Sequence, residues 1–370
     1  MTSPPSAQAL SGLHRSPWSR GRAITADRLR RVATLTPGRL SRAFALRRSF
    51  AQAVRAAGQT GDIPRIPCGP MSLSVEPTTA CNLRCPECPS GLRSFTRPTG
   101  MLDPERLENL IGRSGGVADS LLYLNLYFQG EPYLHPGMDD LVQTGRKAGV
   151  YVSTSTNAHH IAGDRALGLV DSGLDRLIIS IDGADQAAYS SYRVGGQLEK
   201  VLDGTRAVMA AKRQRRSRTP HVVWQFLVVG TNEHQLHDLR QQAAAFGVDE
   251  FVVKTAQIDA PHDGHPLLTA DPRLRRYDRG ADGAWTLRNP MLDRCWRMWQ
   301  GAVLTWDGRV VPCCFDKDAQ HDMGRAETGE AFLDIWHSDR YHAFRQAIFR
   351  DRSGIDMCRN CTEGTQVWAG

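Results

Sequence analysis

Six short runs rich in β-branched and aromatic residues, near 71–77, 122–129, 150–156, 176–182, 221–229 and 250–257, alternate with helical apolar patterns near 104–113, 138–148, 163–172, 197–213 and 233–246. A strand followed by a helix, repeated, commits a chain to a parallel sheet, because a parallel return needs a crossover and the helix supplies it. The units fall short of the eight that close a barrel. The expected fold class is therefore α/β, a partial (β/α)6 TIM-type barrel, with a small C-terminal cysteine-rich domain. In such folds the loops leaving the C-terminal ends of the strands build the site.

Residues that carry chemistry fall at those ends. After the first strand comes CNLRCPEC, which sets Cys81, Cys85 and Cys88 at spacings of four and three. Gly130, Glu131 and Pro132 follow the second strand, Ser155, Thr156 and Asn157 end the third, and Ser180 and Asp182 end the fourth. A second group, Cys295, Cys313, Cys314, Cys358 and Cys361, lies near the other end of the chain. Clustered cysteines in a chain of this size point to metal, whereas disulfide frameworks belong to small exported domains. Zinc would want a fourth ligand beside the first three thiolates. A four-iron four-sulfur cluster would keep one iron open there, and an open iron binds a substrate or cofactor. Cys295, Cys313, Cys358 and Cys361 suit either a saturated four-iron cluster or a structural zinc.

Charge is uneven. Residues 1–60 hold eleven Arg, no Lys and one acid, a net +10, which leaves −3 on residues 61–370 out of a total of +7. Such a segment could contact an anionic membrane face, nucleic acid or an acidic partner, and its composition is also that of an organelle transit peptide. Nothing in the pattern establishes nucleic acid or membrane as a partner. Leu40, Phe44, Ala51 and Val54 at helical spacing predict a helix near 40–57 with Arg on its other face. No apolar run approaches the roughly 18 residues that span a bilayer, and no secretory apolar core is present, so the expected location is cytoplasmic. The expected division is a basic extension over 1–70, a core over 71–260, a Pro, Asp and Gly-rich linker or loop over 261–290, and an auxiliary domain over 291–370. In the last, VLTWDGRVVP reads as a hairpin turning at Asp307 and Gly308.

CNLRCPEC matches the CxxxCxxC signature of the radical S-adenosylmethionine (SAM) enzymes, and over residues 71–370 the chain resembles that family. The resemblance implies a [4Fe-4S] cluster on Cys81, Cys85 and Cys88 whose free iron chelates SAM, reductive cleavage to a 5'-deoxyadenosyl radical, and abstraction of hydrogen from a substrate. It implies that Gly130, Glu131 and Pro132 meet the SAM ammonium, that Ser155, Thr156 and Asn157 line the ribose, and that Ser180, Asp182 and Arg193 reach the carboxylate and ribose. Many members carry an aromatic residue before the third cysteine; here Glu87 stands there, which puts an adenine contact at that position in doubt. Cys295, the GxxxxC ending at Cys313, and CRNC resemble a SPASM domain. A full one continues with further cysteines and holds two clusters, so the expectation is one auxiliary [4Fe-4S] cluster on Cys295, Cys313, Cys358 and Cys361. Some enzymes with this domain keep a carboxylate base just past the GxxxxC cysteine, which singles out Asp316. A flavodoxin- or ferredoxin-type electron donor follows from the resemblance. The expected reaction is oxidation or epimerisation of a small molecule such as a sugar or aminocyclitol. The alternatives are maturation of a ribosomal peptide, with the basic leader clamping an acidic peptide, or a zinc-stabilised RNA-binding protein.

Overall fold

The computed structural model describes residues 21–111, 116–361 and 363–364, so residues 1–20 of the expected extension and residue 362 beside the second cysteine group lie outside it. Two helices open the described chain, α1 (Gly21–Ala33) and α2 (Pro37–Gln59). Thr36 caps α2 by accepting the Arg39 amide, and Pro37 starts it. The helix is where the sequence places it, but its core face is rotated. Leu40 and Phe44 are 41% and 53% exposed, while Arg39, Ala43, Leu46, Phe50 and Ala53 face inward. The reason is local: the buried Arg39 guanidinium donates to the carbonyls of Ala118, Ala148 and Gly149, which precede the second and third strands. Those backbone acceptors would otherwise lose their partners.

Then come β1 (Ser72–Val75), the short α3 (Pro89–Leu92), α4 (Pro104–Ile111), β2 (Tyr123–Asn125), α5 (Met138–Lys147), β3 (Tyr151–Thr156), α6 (Asp164–Asp171) and β4 (Arg176–Ser180). The series continues with α7 (Gln186–Tyr192), α8 (Leu198–Gln214), β5 (His221–Val228), α9 (Leu236–Phe246) and β6 (Glu250–Thr255). Strands β1 to β6 pair in sequence and in parallel. Burial follows the period of each element. In α5, Met138, Leu141, Val142 and Gly145 face the sheet, with Asp139 and Asp140 in the first turn and Arg146 and Lys147 in the last, both matched to the helix dipole. Gly145 sits so close that a Cβ would lie 2.7 Å from Val152.

The stretch expected as a linker carries a small antiparallel pair, β7 (Tyr277–Arg279) with β8 (Trp285–Leu287). After α10 (Arg297–Gln300), β9 (Gly301–Leu304) pairs in parallel with β1, and β10 (Arg309–Val311) and β11 (Gly324–Arg325) follow antiparallel. One nine-stranded sheet, in the order β11-β10-β9-β1-β2-β3-β4-β5-β6, therefore runs across the boundary that the sequence suggests. The hairpin turns through three residues rather than two. Gly308 N donates to Thr305 O and Thr305 N to Arg309 O, with Gly308 at φ 87°, so Trp306, Asp307 and Gly308 form the loop. Helices α11 (Gly329–His337) and α12 (Asp339–Arg350) follow, and α12 packs against α2, where Phe50 meets Trp296, Trp299 and Phe349 edge-on. Among the described residues no helix is long and apolar enough to cross a membrane.

Candidate active site

The cysteine loop after β1 is tied to the end of each neighbouring strand. Glu131 N donates to Ala80 O (2.7 Å) and Gly130 N to Ser90 Oγ (2.8 Å), which joins it to the β2 end. Asn157 Nδ2 donates to Asn82 Oδ1 (2.8 Å) from the β3 end, and Arg84 N donates to Val194 O (2.9 Å) beyond β4. The structure thus brings together Cys81, Cys85 and Cys88 with Gly130, Glu131, Pro132, Asn157 and Arg193. Ser155 lies within β3 opposite Ile178, and Ser180 ends β4 opposite Gln225, both at the same end of the sheet.

Two glycines make the approach possible. A Cβ on Gly91 would lie 2.6 Å from the Cys85 amide nitrogen. At Gly130, φ is +74° and a Cβ would fall 2.2 Å from Thr78 O. Gly130→Ala is therefore expected to lower stability by the left-handed strain, roughly 1–3 kcal/mol, plus the displacement of the cysteine loop. Gly247→Ala, at φ +71° with open space around it, isolates the strain alone. Denaturant unfolding of the two variants should show Gly130→Ala to be the more damaging; equal losses would mean that the close approach is not rigid.

Glu131, 3% exposed, accepts from Thr156 Oγ1 (2.6 Å), Asn157 N (2.7 Å) and Tyr133 N (3.1 Å). Burial pushes its carboxyl up while these donors pull it down. Roughly four acceptor positions exist on a carboxylate, so one remains for a cation. Asp182 is fully buried and spends its oxygens on Leu227 N (2.7 Å) and Arg193 Nε (2.5 Å). Arg193 Nη1 in turn lies 3.7 Å from Cys85 Sγ. Asp182 therefore acts through Arg193, holding the guanidinium against the cysteine loop.

Glu87 has a different task from the aromatic residue it replaces. Its carboxylate accepts Asp259 N (3.1 Å) and faces His265 Nε2 at 3.5 Å, which anchors the strap running from 258 to 288. The same strap grips the second cysteine group. Tyr277 Oη donates to Asn360 Oδ1 (2.7 Å), and Asn360, between Cys358 and Cys361, donates back to Ile258 O (2.5 Å). A third tie runs through the segment after Cys314, where Lys317 Nζ donates to Glu87 O (3.1 Å) and Asp318 accepts Thr96 N (2.9 Å).

Cys295, Cys313, Cys358 and Cys361 are buried, and the thiolates of Cys313, Cys358 and Cys361 each feel that of Cys295. Cys314 instead takes the Arg297 guanidinium at 3.6 Å, and the hydrogen bond from Cys313, helped by that charge, draws its thiol below the ordinary range. Asp316, singled out as a base, is buried with its oxygens on the amides of Gln320 (2.8 Å) and His321 (2.9 Å). Those contacts cap the loop leaving Cys313. Trp296 and Trp299 pack into the core beside Phe50.

Sequence reasoning missed Arg352. It is 1% exposed and lies 3.3 Å from Cys361 Sγ, and no local pattern announces it. Its guanidinium hydrogen-bonds sulfur and backbone carbonyls, so the thiolates supply its counter-charge. Among the described residues, no three His, Cys, Asp or Glu side chains close on a single ion. Four buried thiols beside a buried cation fit an anionic polynuclear cluster at the second group. At the first, three thiols on one loop with acceptors and a guanidinium around them fit a cluster with room for a zwitterionic cofactor. Burial pushes the thiols of Cys81 and Cys358 up to about 12 and that of Cys85 upward, so metal uptake would release their protons.

This fold with this arrangement of thiols defines a radical SAM protein with an auxiliary iron-sulfur unit. The Radical SAM superfamily model matches residues 75–242, and that of the SPASM iron-sulfur cluster-binding domain matches 295–362. The GTP 3',8-cyclase of Synechococcus sp. (strain CC9902) is 31% identical over 342 residues, covering 79% of this chain and 95% of that protein. The chain belongs to the radical SAM superfamily and carries a SPASM domain, and with them go a SAM-binding [4Fe-4S] cluster, SAM and an auxiliary cluster. The AdoMet-dependent heme synthase of Methanosarcina barkeri (strain Fusaro / DSM 804) is 28% identical over 143 residues, 38% of this chain and 40% of that protein's length. Among solved structures, Streptococcus suis SuiB bound to precursor peptide SuiA shares the fold at a TM-score of 0.57 and 15% identity, covering 84% of this chain and 73% of that one. Membership of this family sets aside the zinc-stabilised RNA-binding reading.

Proposed function

We propose that the chain is a radical SAM oxidoreductase that takes hydrogen from an unactivated carbon of a small polar molecule, such as a sugar or aminocyclitol, and completes a two-electron oxidation. The observation that supports this most is a second group of four buried thiols, wired to the first by the strap and by the shared sheet. Four thiolates would saturate a four-iron cluster, and a saturated cluster can only pass electrons.

Cys81, Cys85 and Cys88 would hold the SAM-binding cluster. When bound, this cluster and SAM supply the one-electron reductive cleavage that lets the enzyme take a hydrogen atom from carbon. The remaining work belongs to side chains. Glu131, kept in place by three donors, offers its last acceptor position to an ammonium, with Gly130 and Pro132 shaping the turn. Arg193, oriented by Asp182, turns its free edge to a carboxylate. Ser155, Thr156, Asn157 and Ser180 line the strand ends where a ribose would lie. Asp316 holds the loop after Cys313, and its contacts support positioning more than proton transfer.

A peptide substrate is the second reading, since SuiB was solved with a precursor peptide. The acidic-leader clamp that composition suggests does not favour it. Asp27, Arg30 and Arg39 engage Tyr151, Asp175 and Gly149, which lie where β3 and β4 begin, so α1 and α2 sit at the opposite end of the sheet from the cysteine loop. Anaerobic assays should give one deoxyadenosine per oxidised small molecule. Turnover confined to peptides would overturn the proposal.

A further inference from the structure

Arg352 begins a single 3-10 turn after α12, and Asp351 caps that turn by accepting the amides of Ser353 and Gly354. The turn fixes the backbone, and the Arg352 amide is held by Asp293 Oδ1 at 2.9 Å. The guanidinium then points inward. Nη1 donates to Arg294 O (3.1 Å) and Nη2 to Glu363 O (2.8 Å) and Cys361 Sγ (3.3 Å), and the group also bonds Cys358 and feels Cys295. A buried cation is costly unless an anion neutralises it. The nearby carboxylate that could do so, Glu363, is taken by Arg297 at 2.9 Å.

We infer that Arg352 is a positioning residue whose charge, paired with no carboxylate and met only by the thiolates, raises the electron affinity of the centre held by Cys295, Cys313, Cys358 and Cys361, making it an electron acceptor. The inference rests on those four thiolates holding an auxiliary cluster. Reduction adds one negative charge to such a centre. A fixed positive charge at hydrogen-bond distance in a poorly polarisable interior favours the reduced form over the oxidised one. N–H···S bonds act in the same direction, because they draw electron density from the sulfurs.

The first cysteine group is built the other way. Arg193 reaches Cys85, but Asp182 sits on its Nε at 2.5 Å, so the pair brings almost no net charge. A site that must give an electron to SAM is left without a raised potential, while the site that would receive one has a cation that no carboxylate pairs. The asymmetry sets a direction for electrons from the first group to the second.

The test uses the full chain, reconstituted anaerobically with iron and sulfide, and electron paramagnetic resonance to follow redox titration of each centre. In Arg352→Gln the auxiliary midpoint should move to more negative potential, in Arg352→Lys it should stay near that of the parent, and the SAM-responsive signal should not move in either. An unmoved auxiliary midpoint in Arg352→Gln, or equal movement of both centres, overturns the inference while leaving two clusters in place. A parent protein with about four irons instead of the about eight of two clusters overturns the assignment of the thiols themselves. If Arg352→Gln assembles no auxiliary cluster, Arg352→Lys decides: a parent-like midpoint supports the inference, and a lowered midpoint or a missing cluster despite the retained charge overturns it.

Discussion

Cys85→Ala protein, purified and reconstituted without oxygen, is expected to form no detectable deoxyadenosine from SAM and to hold about four irons, those of one saturated cluster. Cys85 is the most enclosed thiol of its loop, buried beneath Arg193 and against the backbone of Gly91. Removing one of three ligands leaves the loop with two sulfurs for that cluster. Alanine is small, and the loop keeps its ties to Ala80, Asn82 and Arg84, so circular dichroism should stay as in the parent. Deoxyadenosine formed at the parent rate would place the SAM-binding cluster elsewhere.

The paired change Cys358→Ala with Cys361→Ala should produce the opposite pattern. SAM cleavage continues, and the oxidised product disappears. Both thiols lie in the turn that Asn360 fastens to the strap, and that turn owes its shape to backbone bonds such as Cys361 N to Cys358 O (3.0 Å) as well as to metal. The first cysteine group keeps its own contacts. Chromatography of the same reaction for deoxyadenosine and for product reads the uncoupling directly. Loss of SAM cleavage together with product would mean that the second group supports the first structurally and is not an electron acceptor.

Part of the sheet was legible because a parallel strand buried on both faces reads as a short apolar run. In β5, His221–Val228, six of eight residues are buried. The strand ends were legible because polar residues there interrupt such runs. Long-range pairing was not. Gly301–Leu304 is as apolar as any strand, but nothing local says that its neighbour is β1. Helix α2 shows the limit of periodicity: Leu40 and Phe44 carry the helical spacing, yet the inward face belongs to Arg39, whose guanidinium satisfies carbonyls far along the chain. Glu87 looked like a departure from pattern, and the strap that it anchors is visible only in three dimensions. Arg352 is one of 46 basic residues and has no periodic signature, so only its burial among sulfurs sets it apart.

The parallel pairing of β9 with β1 makes the sheet a ruler. Cys81 follows the C-terminal end of β1, whereas β10 runs antiparallel to β9 and delivers Cys313 toward the other end of the ladder, two strands away, so the ladder sets their separation both across the strands, at about 4.8 Å each, and along them. The ladder from Ser72–Gly301 to Val75–Leu304 holds the strands that carry both segments in one register. Electrons passing between the two centres would then cross a gap framed by one continuous sheet, not by two bodies free to move apart.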